Sequence, residues 1–98
     1  MIGPVHVISE NALRLFWKKH ADAQDPLRAW YKTTRKAEWK NFEEVKALYG
    51  RADRVGQFTV FDIGGNKWRL IAAIHYNRQK VFIRHVFTHA EYDRWKAE

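Results

Sequence analysis

Residues 88–95 read Thr-His-Ala-Glu-Tyr-Asp-Arg-Trp, a run that sets a hydroxyl, an imidazole, two carboxylates, a phenol and a guanidinium side by side. Thr88 and Glu91 have the T-x-x-E spacing of a helix capping box. In that motif the hydroxyl accepts from the backbone N–H three residues on, and the glutamate reaches back to the cap residue. The spacing predicts a last helix with Thr88 as its N-cap. His89 is then the first helical residue and Tyr92 follows three residues later, so both can project to one side. Trp95 extends the same stripe as a packing anchor, while Asp93 and Arg94 receive no role. At a helix start the backbone dipole favours a neutral imidazole, which makes His89 available as a general base. The free N–H groups there attract phosphate.

Cations stand within reach in sequence order. From Arg54 the apolar pattern has a period of two: "VGQFTVFDI" predicts a strand, Gly64-Gly65-Asn66 a hairpin turn, and "KWRLIAAIHY" the returning strand. Asn77-Arg78 predicts a second turn before "KVFIRHVF". The expectation is a three-stranded antiparallel meander over 54–88. On its middle strand Trp68, Leu70, Ala72, Ile74 and Tyr76 point one way, and Lys67, Arg69, Ile71, Ala73 and His75 the other. A two-residue turn at 77–78 sets Leu70 opposite His85, Ala72 opposite Ile83 and Ile74 opposite Val81. It also sets Ile71 beside Arg84, so that Lys67, Arg69 and Arg84 meet on one sheet face.

Imidazole, phenol and clustered cations suit RNA cleavage without a metal. The ribose 2′-OH attacks the neighbouring phosphorus once its proton is taken. The 5′-oxygen leaves more easily when protonated, and Arg or Lys stabilises the charge that builds on the phosphoryl oxygens. His89, Tyr92 and Lys67 are the proton-transfer candidates; Arg69 and Arg84 are the charge stabilisers. The other histidines carry less. His6 and His20 fall near element ends, His75 at the far end of the cationic face, and His85 inward among Val81, Ile83 and Phe87 as a core histidine. His85 and His89 are four apart, but a strand-to-helix break between them removes the geometry of a shared metal. No cofactor is expected.

The elements that position these groups are legible upstream. "VHVI" predicts a short strand at 5–8, and Ser9 an N-cap for a helix reaching about Ala23. Asp25-Pro26 predicts the start of a second helix, as N-cap and first helical residue. In it Leu27, Trp30, Tyr31, Thr34 and Ala37 share one face, and Arg28, Lys32, Arg35, Lys36 and Lys40 the other. Such a row of cations is a solvated amphipathic face or, because like charges repel, a seat for an anionic partner such as a phosphate backbone. Asn41 predicts the cap of a third helix, with Glu44 at the capping-box position, Val45 and Leu48 inside and Gly50 as the stop. The fold class expected is α+β, an N-terminal strand and helices packed on a small antiparallel sheet, with a short C-terminal helix.

Composition agrees with this picture. The chain has 98 residues, 46% hydrophobic and 30% charged, as a single folded domain would. Five Trp, six Phe and four Tyr supply large buried areas in a short chain. There is no cysteine, hence no disulfide or thiolate metal site. No signal-peptide pattern or membrane-length apolar run is seen, which points to the cytoplasm and no membrane partner. The net charge is +7, with 10 Lys/Arg against 7 Asp/Glu up to Asp53 and 8 against 4 beyond it, so the excess is spread along the chain. A folded, cationic, aromatic-rich domain is suited to RNA or DNA.

Three longer stretches carry a family likeness: "HVISENAL", "FTVFDIGGNKWRLIAAI" and "KVFIRHVFTHAEYDRW", of which "GGNKWRL" and "THAEYD" are the most specific. Through them nearly the whole chain resembles the HigB group of RelE-like toxins from bacterial type II toxin–antitoxin systems. The leading "MIGP" departs from the shorter starts of that group. The resemblance implies a RelE-like mRNA interferase fold and ribosome-assisted endonucleolytic cleavage of mRNA. It also implies neutralisation by a HigA-type helix-turn-helix antitoxin in a hetero-oligomer. By motif position it points to Arg69, Arg84, His89 and Tyr92, with Lys67 beside them, and leaves open which group is acid and which is base. The competing readings are a non-catalytic RNA- or DNA-binding basic domain, and a protein-interaction module whose basic faces receive an acidic partner.

Overall fold

The computed structural model describes residues 5–96, so the "MIGP" departure lies outside the described residues. Strand β1 (His6–Ile8) leads into helix α1 (Asn11–Lys19), a 3₁₀ turn (Ala21–Ala23) and helix α2 (Gln24–Thr34). Helix α3 (Phe42–Leu48) precedes strands β2 (Asp53–Val55), β3 (Phe58–Ile63), β4 (Trp68–His75) and β5 (Lys80–Thr88), and helix α4 (His89–Arg94) closes the chain. The strands form one sheet in the order β1-β5-β4-β3-β2. The class is α+β, as expected.

The sheet differs from the expected three-stranded meander in two ways. Gly56 and Gln57 break the first run, because Gly56 takes a left-handed φ of 62° and turns β2 back on β3. β1 returns to pair with β5 in parallel, His6 with Lys80 and Ile8 with Phe82, which makes the sheet mixed. Helix starts also differ. Ser9 is not an N-cap: its φ of 74° forms the turn out of β1, and α1 begins at Asn11 after an uncapped Glu10. Asp25 is not a cap either, because the 3₁₀ turn runs straight into α2 at Gln24. Asp25 lies in the first turn, where its charge suits the dipole and Pro26 loses no intrahelical bond. Asn41 does cap α3, its side chain accepting from the Glu44 backbone N–H at 3.0 Å. Leu48, expected inside, is exposed.

α1 and α2 cover one face of the sheet. Leu27, Val45, Phe61, Leu70, Ala72 and Val81 are fully or almost fully buried between the layers. Phe61 is ringed by Trp30 at 5.3 Å, Tyr49 at 5.1 Å and Trp39 at 6.3 Å between ring centroids. The Tyr49 hydroxyl meets Thr34 Oγ1 at 3.0 Å and donates to the Trp30 carbonyl at 3.3 Å, which satisfies a buried phenol whose pKa burial pushes up. The opposite sheet face carries a smaller cluster, Phe58, Val60 and Ile71, covered by Phe87, Tyr92 and Trp95. α4 lies on that second face.

Candidate active site

The capping box is present in full. The Thr88 backbone N–H donates to Glu91 Oε1 at 2.8 Å, and the Glu91 N–H donates to Thr88 Oγ1 at 3.2 Å. Thr88 pairs with Trp68 across the sheet, so α4 starts beside the entry to β4. Replacing this cap, Thr88→Ala, is expected to lower the unfolding free energy by ~0.5–2 kcal/mol, read as a lower urea midpoint with an unchanged slope.

The backbone bond from Thr88 holds the Glu91 carboxyl below the ordinary glutamate value of 4.5. A lowered folded pKa contributes stability that is present above the unfolded value and is lost as pH falls through the folded one. The difference in urea midpoint between the native chain and Glu91→Gln should therefore be constant above pH 4.5 and close below it. A gap that does not change with pH would contradict the capping role.

Arg69 and Tyr92 form the centre of the site. Arg69 alternates with Leu70 on β4 and so faces away from the main core. Its Nε lies 3.3 Å from Asp62 Oδ1 on the neighbouring strand, and its Nη1 donates to the carbonyls of Asn66 at 3.0 Å and Trp68 at 3.3 Å. These partners hold a side chain that is only 11% exposed. The Tyr92 ring lies under the guanidinium, 5.5 Å from its carbon, and stacks with Trp95 at 6.0 Å. Trp95 also packs on Phe58 and Phe87, the anchoring role expected of it.

Arg84 does not sit where the expected register puts it. The strands pair with the expected register from His75–Lys80 to Ala72–Ile83, around a turn at residues 76–79. A β-bulge then shifts the register by one, so that Ile71 faces His85, Leu70 faces Val86 and Arg69 faces Phe87. Arg84 is the extra residue of the bulge and is exposed, with no carboxylate partner among the described residues. The same shift overturns the reading of His85 as a core histidine. It is exposed, opposite Ile71, with its ring stacked on Phe87 at 4.9 Å and 13°.

Lys67 does not join Arg69. It lies just before β4, its ammonium 2.7 Å from Asp22 and 4.9 Å from the Trp68 ring, on the edge facing the helices. Its attraction to the carboxylate of the 3₁₀ turn outweighs the alternation expected of a strand residue.

His89 is exposed at the first position of α4, and its Nδ1 lies 3.3 Å from Asp93 Oδ2 one turn on. A carboxylate at Nδ1 favours the tautomer with the proton there, leaving Nε2 as the acceptor. Asp93 was not read as functional from the sequence, although its spacing of four from His89 on a predicted helix was the available signal. Asp62 had its own signal in hairpin pairing with Arg69. His85 had none, because nothing in the residue pattern marks the bulge. Among the described residues no group of three His, Asp or Glu side chains is arranged to hold a metal ion.

The basic helix faces elsewhere. Arg28 and Lys32 are exposed along α2 and Arg35 just after it, and they line a groove between α1 and α2 together with Arg14, Trp17, Tyr31 and Glu10. α2 ends at Thr34, earlier than its polar stripe suggested, so Lys36 follows the helix and Lys40 leaves this face. The Lys40 backbone N–H donates to Glu44, and its side chain borders a separate groove with Phe42 and Arg54. Glu10 introduces an acid among these cations; its carboxylate raises the pKa of the Tyr31 phenol by hydrogen bonding. Because α1 and α2 cover one sheet face and α4 the other, the basic groove and the Arg69–Tyr92 site lie on opposite sides of the sheet.

Comparison with known proteins bears on this arrangement. Residues 23–95 match the family described as HigB_toxin, the RelE-like toxic component of a toxin–antitoxin system. The "mRNA interferase toxin HigB" of Escherichia coli (strain K12) is 33% identical over 95% of this chain and 92% of its own length. The "mRNA interferase HigB" of Escherichia coli O6:H1 is 27% identical over 92% of this chain and 90% of its own. Among the described residues no helix is long and apolar enough to cross a membrane.

Proposed function

Because the chain belongs to the HigB family of RelE-like toxins, mRNA-cleaving components of toxin–antitoxin systems, we propose that it cuts mRNA on the ribosome at the face built by β4, β5 and α4. The observation that carries this reading is the Tyr92 ring held against a guanidinium that Asp62 and two carbonyls fix in place. Such a group is oriented before substrate arrives and needs no rearrangement as charge develops, the condition under which electrostatic stabilisation is largest.

In this mechanism His89 Nε2 takes the proton of the ribose 2′-OH. The 2′-oxygen attacks the adjacent phosphorus and the bond to the 5′-oxygen breaks, giving a 2′,3′-cyclic phosphate and a 5′-hydroxyl. Arg69 and Arg84 stabilise the charge on the phosphoryl oxygens, and the Tyr92 hydroxyl supplies the proton to the leaving oxygen. The reaction uses no metal. Lys67 stays outside it, engaged by Asp22.

The groove cations Arg14, Arg28, Lys32 and Arg35 are turned away from the cleaved strand and give a second polyanion contact, suited to ribosomal RNA. This supports ribosome association. The partner that silences the toxin is a HigA-type helix-turn-helix antitoxin of a type II system, in a hetero-oligomer, and the working compartment is the cytoplasm. Induced expression followed by transcriptome-wide mapping of mRNA 5′ ends tests the reading. Cuts are expected inside translated reading frames and should vanish from a message whose start codon is removed. Equal cutting of the untranslated message would refute ribosome dependence, and no new ends would refute the cleavage itself.

A further inference from the structure

On the same face, and resting on the reading of that face as the cleavage site, we propose that His85 and Phe87 form a stacking subsite for an mRNA nucleobase beside the scissile phosphate. The β-bulge between β4 and β5 carries His85 out of the core side and onto this face. Bulges interrupt the ladder and re-aim side chains next to active sites. What it re-aims here is an imidazole lying nearly parallel to Phe87, with the Trp95 ring 6.0 Å from both. Trp95 in turn stacks with Tyr92, and Tyr92 lies against Arg69. The four rings therefore run without interruption from the proposed proton donor to an exposed edge at His85. Phe87 is the direct cross-strand partner of Arg69, and Arg84 is the residue before His85, so cations border the run.

Aromatic surface beside guanidinium groups is the arrangement that holds single-stranded RNA, in which flat bases stack while the phosphates meet the charges. A base is the occupant that fits the chemistry: a net charge of +7 favours a polyanion, and an exposed imidazole already stacked on Phe87 offers a ring face to a flat base where a peptide anchor needs a pocket. An aromatic run ordinarily serves packing alone. The inner rings Trp95 and Phe87 do pack, but His85 is exposed.

The test uses the full chain and 70S ribosomes programmed with mRNAs carrying one 2-aminopurine at successive positions around the cut. A 2′-O-methyl group on the cleaved nucleotide blocks reaction and isolates binding. Stacking should quench the fluorescence at one position in the native chain and in His85→Phe, and not in His85→Ala. On cleavable mRNA His85→Ala should raise KM by about 5- to 150-fold, the range for loss of one base–aromatic stack, with kcat little changed. Unaltered quenching and KM in His85→Ala would overturn the proposal, as would a fall in kcat at constant KM, which would make His85 a proton-transfer group. Binding is read without cleavage, so quenching by a chain that cuts no message would sustain the stack while refuting the nuclease reading.

Discussion

Arg69→Lys is expected to lower kcat for mRNA cleavage by ~10²–10³-fold, the range for loss of one preorganised charge-stabilising donor. Lysine keeps the positive charge, but it lacks the planar fork whose Nε and Nη1 are tied to Asp62 and to the Asn66 and Trp68 carbonyls. One ammonium cannot satisfy the carboxylate and the carbonyls and still aim a donor at a phosphoryl oxygen. The substitution also removes the surface on which the Tyr92 ring rests. Lysine is the more informative replacement, because Arg69→Ala would leave the largely buried Asp62 carboxylate without its partner and destabilise the sheet. Measured in parallel, the urea midpoint of Arg69→Lys should fall modestly, with the chain still folded, while cleavage collapses. Equal losses in both would make Arg69 a structural residue.

His89→Gln is expected to lower kcat by ~10²–10⁴-fold, the contribution of a positioned general base. Here stability offers no competing explanation. The imidazole is exposed, and its ion-pair partner among the described residues is Asp93 on the same helix. Exposed substitutions of this kind change stability by about 0.5 kcal/mol or less. Single-turnover cleavage on programmed ribosomes, at saturating toxin, reads the chemical step alone. A native rate in His89→Gln would remove the histidine from the mechanism and leave Tyr92 as the remaining proton-transfer group.

Local residue pattern reveals some of this molecule, though Ser9 and Asp25 have the types of helix caps and cap nothing; what long-range geometry sets lies beyond it. Thr88 and Glu91 act within one helical turn, and Asn41 likewise, so their T-x-x-E and N-x-x-E spacings were sufficient. The alternation along β4 placed Leu70 inside and Arg69 outside for the same reason. The parallel return of β1 to β5 joins residues more than seventy apart, and no short motif records it. The bulge is subtler: a one-residue shift leaves Ala72–Ile83 and Ile74–Val81 as expected, yet exchanges the faces of His85 and Val86. His85, expected in the core, is thereby exposed on the opposite face. Lys67 shows the limit of alternation itself, since a single carboxylate at Asp22 draws the side chain to the other edge. The site residues with the strongest structural support, Arg69 and Tyr92, are those that both a local pattern and a distant packing partner hold in place.

The chemistry of the new RNA ends tests the central claim most directly. Messages cut on ribosomes by the purified chain are ligated at their 5′ ends with and without prior kinase treatment, and their 3′ ends are identified by mass. Attack by the ribose 2′-OH predicts 5′-hydroxyl ends that ligate only after phosphorylation, paired with 2′,3′-cyclic phosphate at the other terminus. Fragments bearing 5′-phosphate and 3′-hydroxyl ends would mean attack by water, and would contradict a site in which His89, Tyr92 and the arginines do the work.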